Sequence, residues 1–309
     1  MIAWWISLWD RREDPTVLAM IRIGISLVVL ADYAEMARLG LVELMFAPHD
    51  AGGLVNVTTR TPLPELYRWF PATADTAWGA WALVVASMAL FGLGVVPWLT
   101  GAIFVLVSAQ HALLVPLADR GIDTLIRNAV LILVFSKCDG RWSPTGRRRT
   151  EVPAWPRHLL IVQLAVMYFA AGIQKTALTW GPLGDFGALY LILQDPSIAR
   201  FRFGWLASVY PLTQIATATT LAFEWGAVLL PLAYWFRDTR ERPGRWRALL
   251  NRVDFRATWA TVGVFLHIGI AVTMQLGIFP WAMLALYPAL FHPEELSSRM
   301  RLVPRMIGR

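Results

Sequence analysis

The sequence has few of the residues on which soluble redox and metal sites depend. Cys138 is its single cysteine, which excludes an internal disulfide, a CxxC redox pair and a zinc site built from thiolates. Lysine occurs only at 137 and 175, although lysine and arginine together number 28, so arginine carries nearly all the positive charge. Charged residues make up 16% of the 309 residues and hydrophobic residues 57%, which indicates a membrane protein rather than a soluble globular one.

Eight segments approach the roughly 20 apolar residues that a membrane-crossing helix requires. These segments are 16–38, 77–96, 98–117, 122–137, 157–175, 212–236, 257–276 and 278–292, of which the fourth and eighth are short. No polar linker separates the two halves of the chain. We therefore predict a single all-α domain over 1–309, a polytopic membrane helix bundle with about eight transmembrane helices.

Arginine clusters in the loops that follow the fourth and sixth spans and in the tail 293–309. Positive charge marks the cytoplasmic side of a membrane protein. Eight crossings with an inside N-terminus place both loops and the basic tail together, so we expect cytoplasmic N- and C-termini. These loops account for a pI near 10.1, and we predict no nucleic-acid partner.

Three further segments are predicted to lie outside the spans. Residues 1–14 contain tryptophan and isoleucine at helical spacing and lack the features of a signal peptide, so we predict a helix in the membrane interface. Segments 39–76 and 176–211, placed on the outer side, are too long for simple turns and contain apolar and aromatic residues. We expect them to form short or re-entrant helices that cap an outward-facing cavity bounded by spans one, five, six and seven.

Ionisable residues inside the predicted spans are costly and indicate either functional sites or structural pairs. Asp123 and Arg127 are four residues apart on one helical face, so we predict a local ion pair. Arg22 is predicted to brace helices, with Glu224 of the sixth span as its partner. We interpret these four residues and Asp32 as structural.

Lys175 lies at the end of an unusually apolar stretch, MYFAAGIQKTALTW, at 167–180. A lysine near a span end can extend its ammonium to the interface, but arginine would serve equally. Lysine differs because it can lose its proton when desolvated. Tyr168, Gly172 and Lys175 lie near one predicted helical face, where small residues let another helix or a flat ligand approach. Lys175 is therefore the first candidate for a reactive group.

His267 has no second histidine or carboxylate at metal-ligand spacing, so we predict no metal site. Two interpretations of this residue stay open: a hydrogen-bonded core histidine, or a group that transfers protons near neutral pH. His111, in the third span, is interpreted as a core residue.

The order of several motifs resembles a known family. YFAAGIQK followed by Trp180 resembles the YFxAGxxK…W stretch of the vitamin K-dependent gamma-carboxylases, and HIGIAVTMQLGIFPWAMLALYPALF resembles their later H…GxFxxxMLA…PLF stretch. The arginine-containing first span with FAPHDAGGL, and the span that ends near FSKCDGRWSP, resemble the wider horizontally transferred transmembrane (HTTM) domain. The resemblance covers about 15–300 and implies a multi-pass protein of the bacterial cytoplasmic (inner) membrane.

The resemblance also implies a chemistry. The lysine that ends YFxAGxxK in the carboxylases is implicated as the base that deprotonates a hydroquinone, and this role falls on Lys175. A quinone or hydroquinone is then the expected ligand, with His267 orienting one of its oxygens. The substrate-binding residues are predicted to be Tyr168, Trp180, Phe279 and Gln174, although Gln174 replaces a lysine of the family.

A second function stays open beside this one. The chain could be a non-catalytic accessory or assembly subunit that binds membrane lipids or a partner membrane or periplasmic protein, with its buried charges as braces. A transporter has less support because the sequence shows no inverted repeat.

Overall fold

A computed structural model describes residues 9–55, 69, 73–116, 118–146 and 148–296. The described residues are mostly helical and fall into two units, which we describe separately. The first unit extends to 157 and includes 293–296; the second covers 158–292. The predicted basic tail lies outside the described residues from 297 onward.

The helices of the first unit are α1 (Thr16–Arg38), α2 (Leu41–Phe46), α3 (Ala74–Leu93), α4 (Pro97–Leu114) and α5 (Gly121–Val134). Those that follow are α6 (Trp155–Ile173), α7 (Ala188–Gln194), α8 (Tyr210–Gly226), α9 (Leu230–Asp238), α10 (Arg245–Arg252), α11 (Phe255–Thr273) and α12 (Phe279–Leu286). Of these, α6 begins just before the second unit, and the others lie within it.

Six segments of the described chain are long and apolar enough to cross a membrane: α1, α3, α4, α6, the run Gly204–Asp238 that contains α8 and α9, and α11. They correspond to six of the eight predicted spans. The other two are helical but short. At 1.5 Å per residue the 14 residues of α5 extend about 21 Å, less than the ~30 Å of a bilayer core. The expected count of eight is therefore corrected to six helices of spanning length.

In the described end of the segment 1–14, Trp9 is helical and residues 10–14 are not. Arg12–Glu13 forms a strand, β1, that pairs antiparallel with β2, Val152–Pro153. Glu13 forms an ion pair with the buried Arg157. An interfacial helix would carry Glu13 away from this partner, so the prediction is wrong for 12–13. Residues 1–8 lie outside the described part of the chain.

Close helix packing in the first unit depends on glycine, which has no side chain. Within this unit α3 packs on both α1 and α4, and α4 also packs on α5. A Cβ at Gly101 would lie 2.7 Å from Val134 and 2.9 Å from Phe91, so only glycine allows α4 to approach both neighbours. The turn between α3 and α4 contains Gly94 at φ 83°, which favours glycine, and Pro97 in the first turn of α4.

Arg22 is fully buried and braces three segments of the first unit. Its guanidinium donates to the carbonyl of Gly92 at 3.2 Å, of Cys138 at 2.5 Å and of Trp142 at 2.7 Å. These contacts agree with the predicted bracing role, but the acceptors are backbone carbonyls and not the predicted partner Glu224, which pairs with Lys175. Gly92 lies in the last turn of α3, where helix carbonyls lack intrahelical partners, and a five-donor guanidinium can bond several such oxygens at once.

Replacing Arg22 by lysine is expected to lower the free energy of unfolding by about 2 kcal/mol, because one ammonium cannot reach all three carbonyls and buried acceptors are left unpaired. Denaturant unfolding of the purified protein measures this change. The control is Arg38→Lys in the same helix, where the arginine is exposed and pairs with Glu35. Equal stability of the two variants would contradict the bracing role.

The charges around the start of α5 pair differently from the prediction. Asp123 accepts from Arg120 at 2.8 Å, and Arg120 also donates to Asp32 at 2.6 Å. Arg127 pairs instead with Asp119 at 2.7 Å. The predicted Asp123–Arg127 pair is wrong because Asp123, in the first turn of α5, accepts from the backbone and side chain of Arg120.

The two long connecting segments contain short helices, as predicted. In 39–76 these are α2 and the turn His49–Ala51, while 56–68 and 70–72 lie outside the described residues. In 176–211 they are Leu178–Trp180, Pro182–Gly184, α7 and Gly204–Val209. Their position relative to a membrane remains a prediction.

Candidate functional site

Lys175 lies two residues beyond the end of α6. The backbone N–H of Gln174 still donates to Ala170, and the N–H of Lys175 donates to Gly172, so the chain turns tightly here. The ammonium of Lys175 lies 3.5 Å from the carbonyl oxygen of Ala171, in the last turn of α6. A cation at this end of a helix is stabilised by the helix dipole.

The ammonium of Lys175 forms an ion pair with Glu224 of α8. Its Nζ lies 2.7 Å from Glu224 Oε1 and 4.9 Å from the centroid of the Trp180 ring. The side chains of Lys175 and Glu224 are 20% and 11% exposed. The second carboxylate oxygen, Oε2, is buried and has no hydrogen-bond partner among the described residues. The pair therefore has one acceptor oxygen to which no described residue donates a hydrogen bond.

Gly172 makes this pairing possible. A Cβ on Gly172 would lie 2.6 Å from Trp225 and 3.0 Å from the Cβ of Glu224. The small residue predicted to admit a helix or a flat ligand thus admits α8, at the turn that carries Glu224. Tyr168 and Gly172 are both buried, whereas Lys175 is partly exposed.

His267 of α11 is fully buried and belongs to a second polar group. Its Nε2 lies 2.5 Å from the hydroxyl of Tyr168, which lies 2.9 Å from the hydroxyl of Tyr287. Nδ1 of His267 is buried without a partner within the described structure. A buried N–H without an acceptor is rarer than a bare lone pair, so we assign Nε2–H as the donor to Tyr168 and Tyr168 as the donor to Tyr287.

Aromatic rings surround the His267 imidazole and the hydroxyl groups of Tyr168 and Tyr287. The ring of Tyr168 makes edge contacts with Phe223 at 4.9 Å and Trp259 at 5.0 Å. Phe223 and Trp259 stack on each other at 4.1 Å. Phe279 contacts the ring of His267 edge-on at 5.4 Å. We therefore interpret His267 as a hydrogen-bonded core histidine that positions Tyr168.

The predicted site residues therefore form two groups within the second unit. Lys175 forms the ion pair and its ammonium lies over the Trp180 ring, whereas Tyr168, His267 and Phe279 belong to the aromatic group. Gln174 is exposed. His111, of the first unit, is buried and stacks on Phe46 at 4.1 Å, as expected for a core residue.

Two site residues were not recognised as such from the sequence. Glu224 was assigned to the wrong cation, although a carboxylate in the sixth span and a lysine at the end of the fifth are a plausible pair by sign. Tyr287 gave no signal, because a tyrosine in an apolar stretch is typical of a membrane interface. Only the fold places its hydroxyl beside Tyr168.

Among the residues that the structure describes, no group of three histidine, cysteine or acidic side chains could hold a metal ion. No protein-family model matches the chain. No solved structure matches it significantly either.

Proposed function

We propose that the chain is a multi-pass protein of the bacterial cytoplasmic membrane, of the HTTM type, that removes a proton from a quinol or another lipid-soluble hydroxyl compound. The observation that carries this proposal is the ion pair of Lys175 with Glu224 at 2.7 Å, at the end of an apolar helix. The lysine is the one that ends YFAAGIQK, the stretch that resembles the gamma-carboxylases.

The groups around the pair suit a flat apolar molecule with a hydroxyl group. Glu224 Oε2 is a buried acceptor without a partner among the described residues, and a substrate hydroxyl would supply the missing donor. Trp180 offers an aromatic face beside Lys175. A quinol would supply both a weakly acidic hydroxyl and, once deprotonated, a ring that reacts with oxygen.

The chemistry of the chain's own residues is a proton transfer. The pair has zero net charge both as ammonium with carboxylate and as amine with carboxylic acid. In the amine–carboxylic acid form Lys175 is the base: it takes the proton of the substrate hydroxyl and becomes an ammonium, Glu224 stays a carboxylic acid, and the substrate oxygen is left as an anion beside the ammonium. His267 of α11 acts in this proposal as a positioning residue that fixes Tyr168 of α6, the helix that ends just before Lys175.

The topology that goes with this proposal has both termini in the cytoplasm. It is supported by the arginine-rich loops at 137–157 and 237–256, which an even number of crossings places on the same side.

Oxygen uptake by the protein in lipid nanodiscs with reduced menaquinone or vitamin K hydroquinone tests the function. Wild type is expected to exceed empty nanodiscs, and Lys175→Arg is expected to lose at least 100-fold in rate, on the order of the factor from a positioned general base. Lys137→Arg, at the only other lysine, is the matched control and should retain full activity. Uptake at background level by wild type, or full activity of Lys175→Arg, would reject the proposal.

A second candidate is a non-catalytic accessory subunit that binds membrane lipids or a partner membrane or periplasmic protein. It is favoured by the same ion pair, because Glu224, Ala171 and Trp180 together stabilise the charge of Lys175 as a structural brace would. This function predicts that one partner co-purifies with the wild type and equally with Lys175→Arg. Loss of the partner in that variant would contradict it.

A further inference from the structure

A cavity of about 260 Å³ lies in the first unit, in the loop that follows α5. The described residues that line it lie at 139–143, 146 and 148. The volume is several times the ~30 Å³ that one water molecule occupies in the liquid, so a phosphate group fits. The function proposed above does not use this cavity.

The peptide groups at the cavity are oriented by the buried arginine behind them. The guanidinium of Arg22 donates to the carbonyl oxygens of Arg141 at 3.4 Å and Trp142 at 2.7 Å. In a trans peptide the N–H points opposite to the C=O. The N–H groups of Trp142 and Ser143 therefore point away from Arg22, and neither has an acceptor among the described residues.

The backbone of Trp142 explains why the two N–H groups are parallel. Extended backbone alternates the direction of successive peptides, whereas Trp142 has φ 48°, in the left-handed region. A non-glycine residue in this region is uncommon, and Trp142 is one of five among the described residues. Two successive N–H groups that point the same way form a concavity that binds anions.

The side chains at the cavity add positive charge. Arg148 is exposed, and its guanidinium is paired with none of the described side chains. Arg141 donates to Asp14 at 2.6 Å, and its Nε is buried without a partner in the described structure. Among the described lining residues, Asp139 is the one carboxylate. Arg148 is therefore a cation of the described lining that can meet an anion here.

The position of the cavity beside helices of spanning length indicates which anion it binds. Arg22 and Gly92 lie in two of the helices long enough to cross a membrane, and Arg22 binds both Gly92 and the cavity wall. Trp142 is 51% exposed, and tryptophan is enriched at the level of lipid headgroups. Basic pockets at the ends of spanning helices bind phosphate headgroups.

We propose that this cavity binds a phosphate group, presented by the headgroup of an anionic phospholipid of the surrounding leaflet. The N–H groups of Trp142 and Ser143 and the guanidinium of Arg148 donate to the phosphate oxygens. The indole of Trp142 lies among the lipid glycerol groups. This inference is independent of the function proposed for Lys175.

Native mass spectrometry of the full-length protein, released from detergent after titration with phosphatidylglycerol, tests the site. Wild type should retain one tightly bound lipid, and Arg148→Gln should weaken that binding about tenfold, the loss expected for one charge-assisted hydrogen bond. Arg240→Gln removes the same charge from an exposed arginine of another loop and should bind as wild type does. Equal affinity of the two variants would overturn the proposal, because general attraction to basic loops would then suffice.

Two further arms identify the source of the phosphate. Phosphatidylcholine, which has no net charge, should not compete for the site. If inorganic phosphate at millimolar concentration displaces phosphatidylglycerol from wild type but not from Arg148→Gln, the anion site stands and a soluble phosphate is an alternative occupant. If phosphatidylcholine binds as tightly as phosphatidylglycerol in all three proteins, the site has no preference for anions and the proposal fails.

Discussion

Glu224→Gln is expected to lower the free energy of unfolding by about 2 kcal/mol, less than for a fully buried ion pair because the Lys175 side chain is 20% exposed. The variant keeps the shape of the side chain but leaves the ammonium of Lys175 without a counter-charge. The remaining contacts of that ammonium, with the Ala171 carbonyl at 3.5 Å and the Trp180 ring at 4.9 Å, are weak by comparison. Unfolding by denaturant in mixed micelles measures the loss.

The matched control is Glu35→Gln, because Glu35 forms an exposed pair with Arg38 and surface pairs contribute little. Its stability should equal that of wild type. A Lys175→Met/Glu224→Leu double variant should recover most of the lost stability, since replacing a whole buried pair by apolar residues is often neutral. The same double variant should consume no oxygen with quinol. Full activity without the pair would show that it serves only as a brace.

Gly263→Ala is expected to disrupt the aromatic group around His267. A Cβ at this position of α11 would lie 2.2 Å from the hydroxyl oxygen of Tyr287 and 2.9 Å from Phe223, so both side chains would have to move. Overpacking of this kind costs about 3 kcal/mol and would break the Tyr168–Tyr287 hydrogen bond. Denaturant unfolding and the near-ultraviolet circular dichroism of the aromatic rings report the two effects.

Gly269→Ala in the same helix is a close control, because nothing lies within 4 Å of its added Cβ. This substitution should be neutral or stabilise by up to about 1 kcal/mol, since alanine is the better helix former. Adding Tyr287→Phe to Gly263→Ala should restore part of the lost stability by removing the clashing oxygen. If Gly263→Ala and Gly269→Ala change the free energy of unfolding equally, α11 does not pack against Tyr287 as closely as described.

The spanning helices could be predicted from the sequence because they depend on local composition. The first predicted span, 16–38, has the bounds of α1, and the other five long helices lie within a few residues of the predicted segments, apart from the longer run Gly204–Asp238. The two short segments were harder, since α5 contains Asp123 and Arg127 and ends at Val134. Hydropathy alone does not show where a helix stops.

The partners of charged side chains could not be predicted from spacing. Arg127 and Asp123 have the i, i+4 spacing of a helical pair, yet Arg127 reaches back to Asp119 in the preceding loop. A long guanidinium can reach carboxylates on either side, and the capping of α5 decides which one is free. The rarity of lysine in the sequence identified Lys175 as a candidate reactive group. Its ion-pair partner, Glu224, lies 49 positions away in the chain, and only the packing of α6 on α8 brings the two together.

Cys138, whose carbonyl Arg22 holds, has a side chain that is fully enclosed. Its thiol donates to the carbonyl of Leu133 at 3.6 Å, and burial raises its pKa to about 11. Because alkylating reagents attack an accessible thiolate, the folded wild-type protein should behave towards them as a cysteine-free one. A cysteine introduced into any exposed loop would then be the single reactive position, and a membrane-impermeant maleimide could report the side of each loop without removing the native residue.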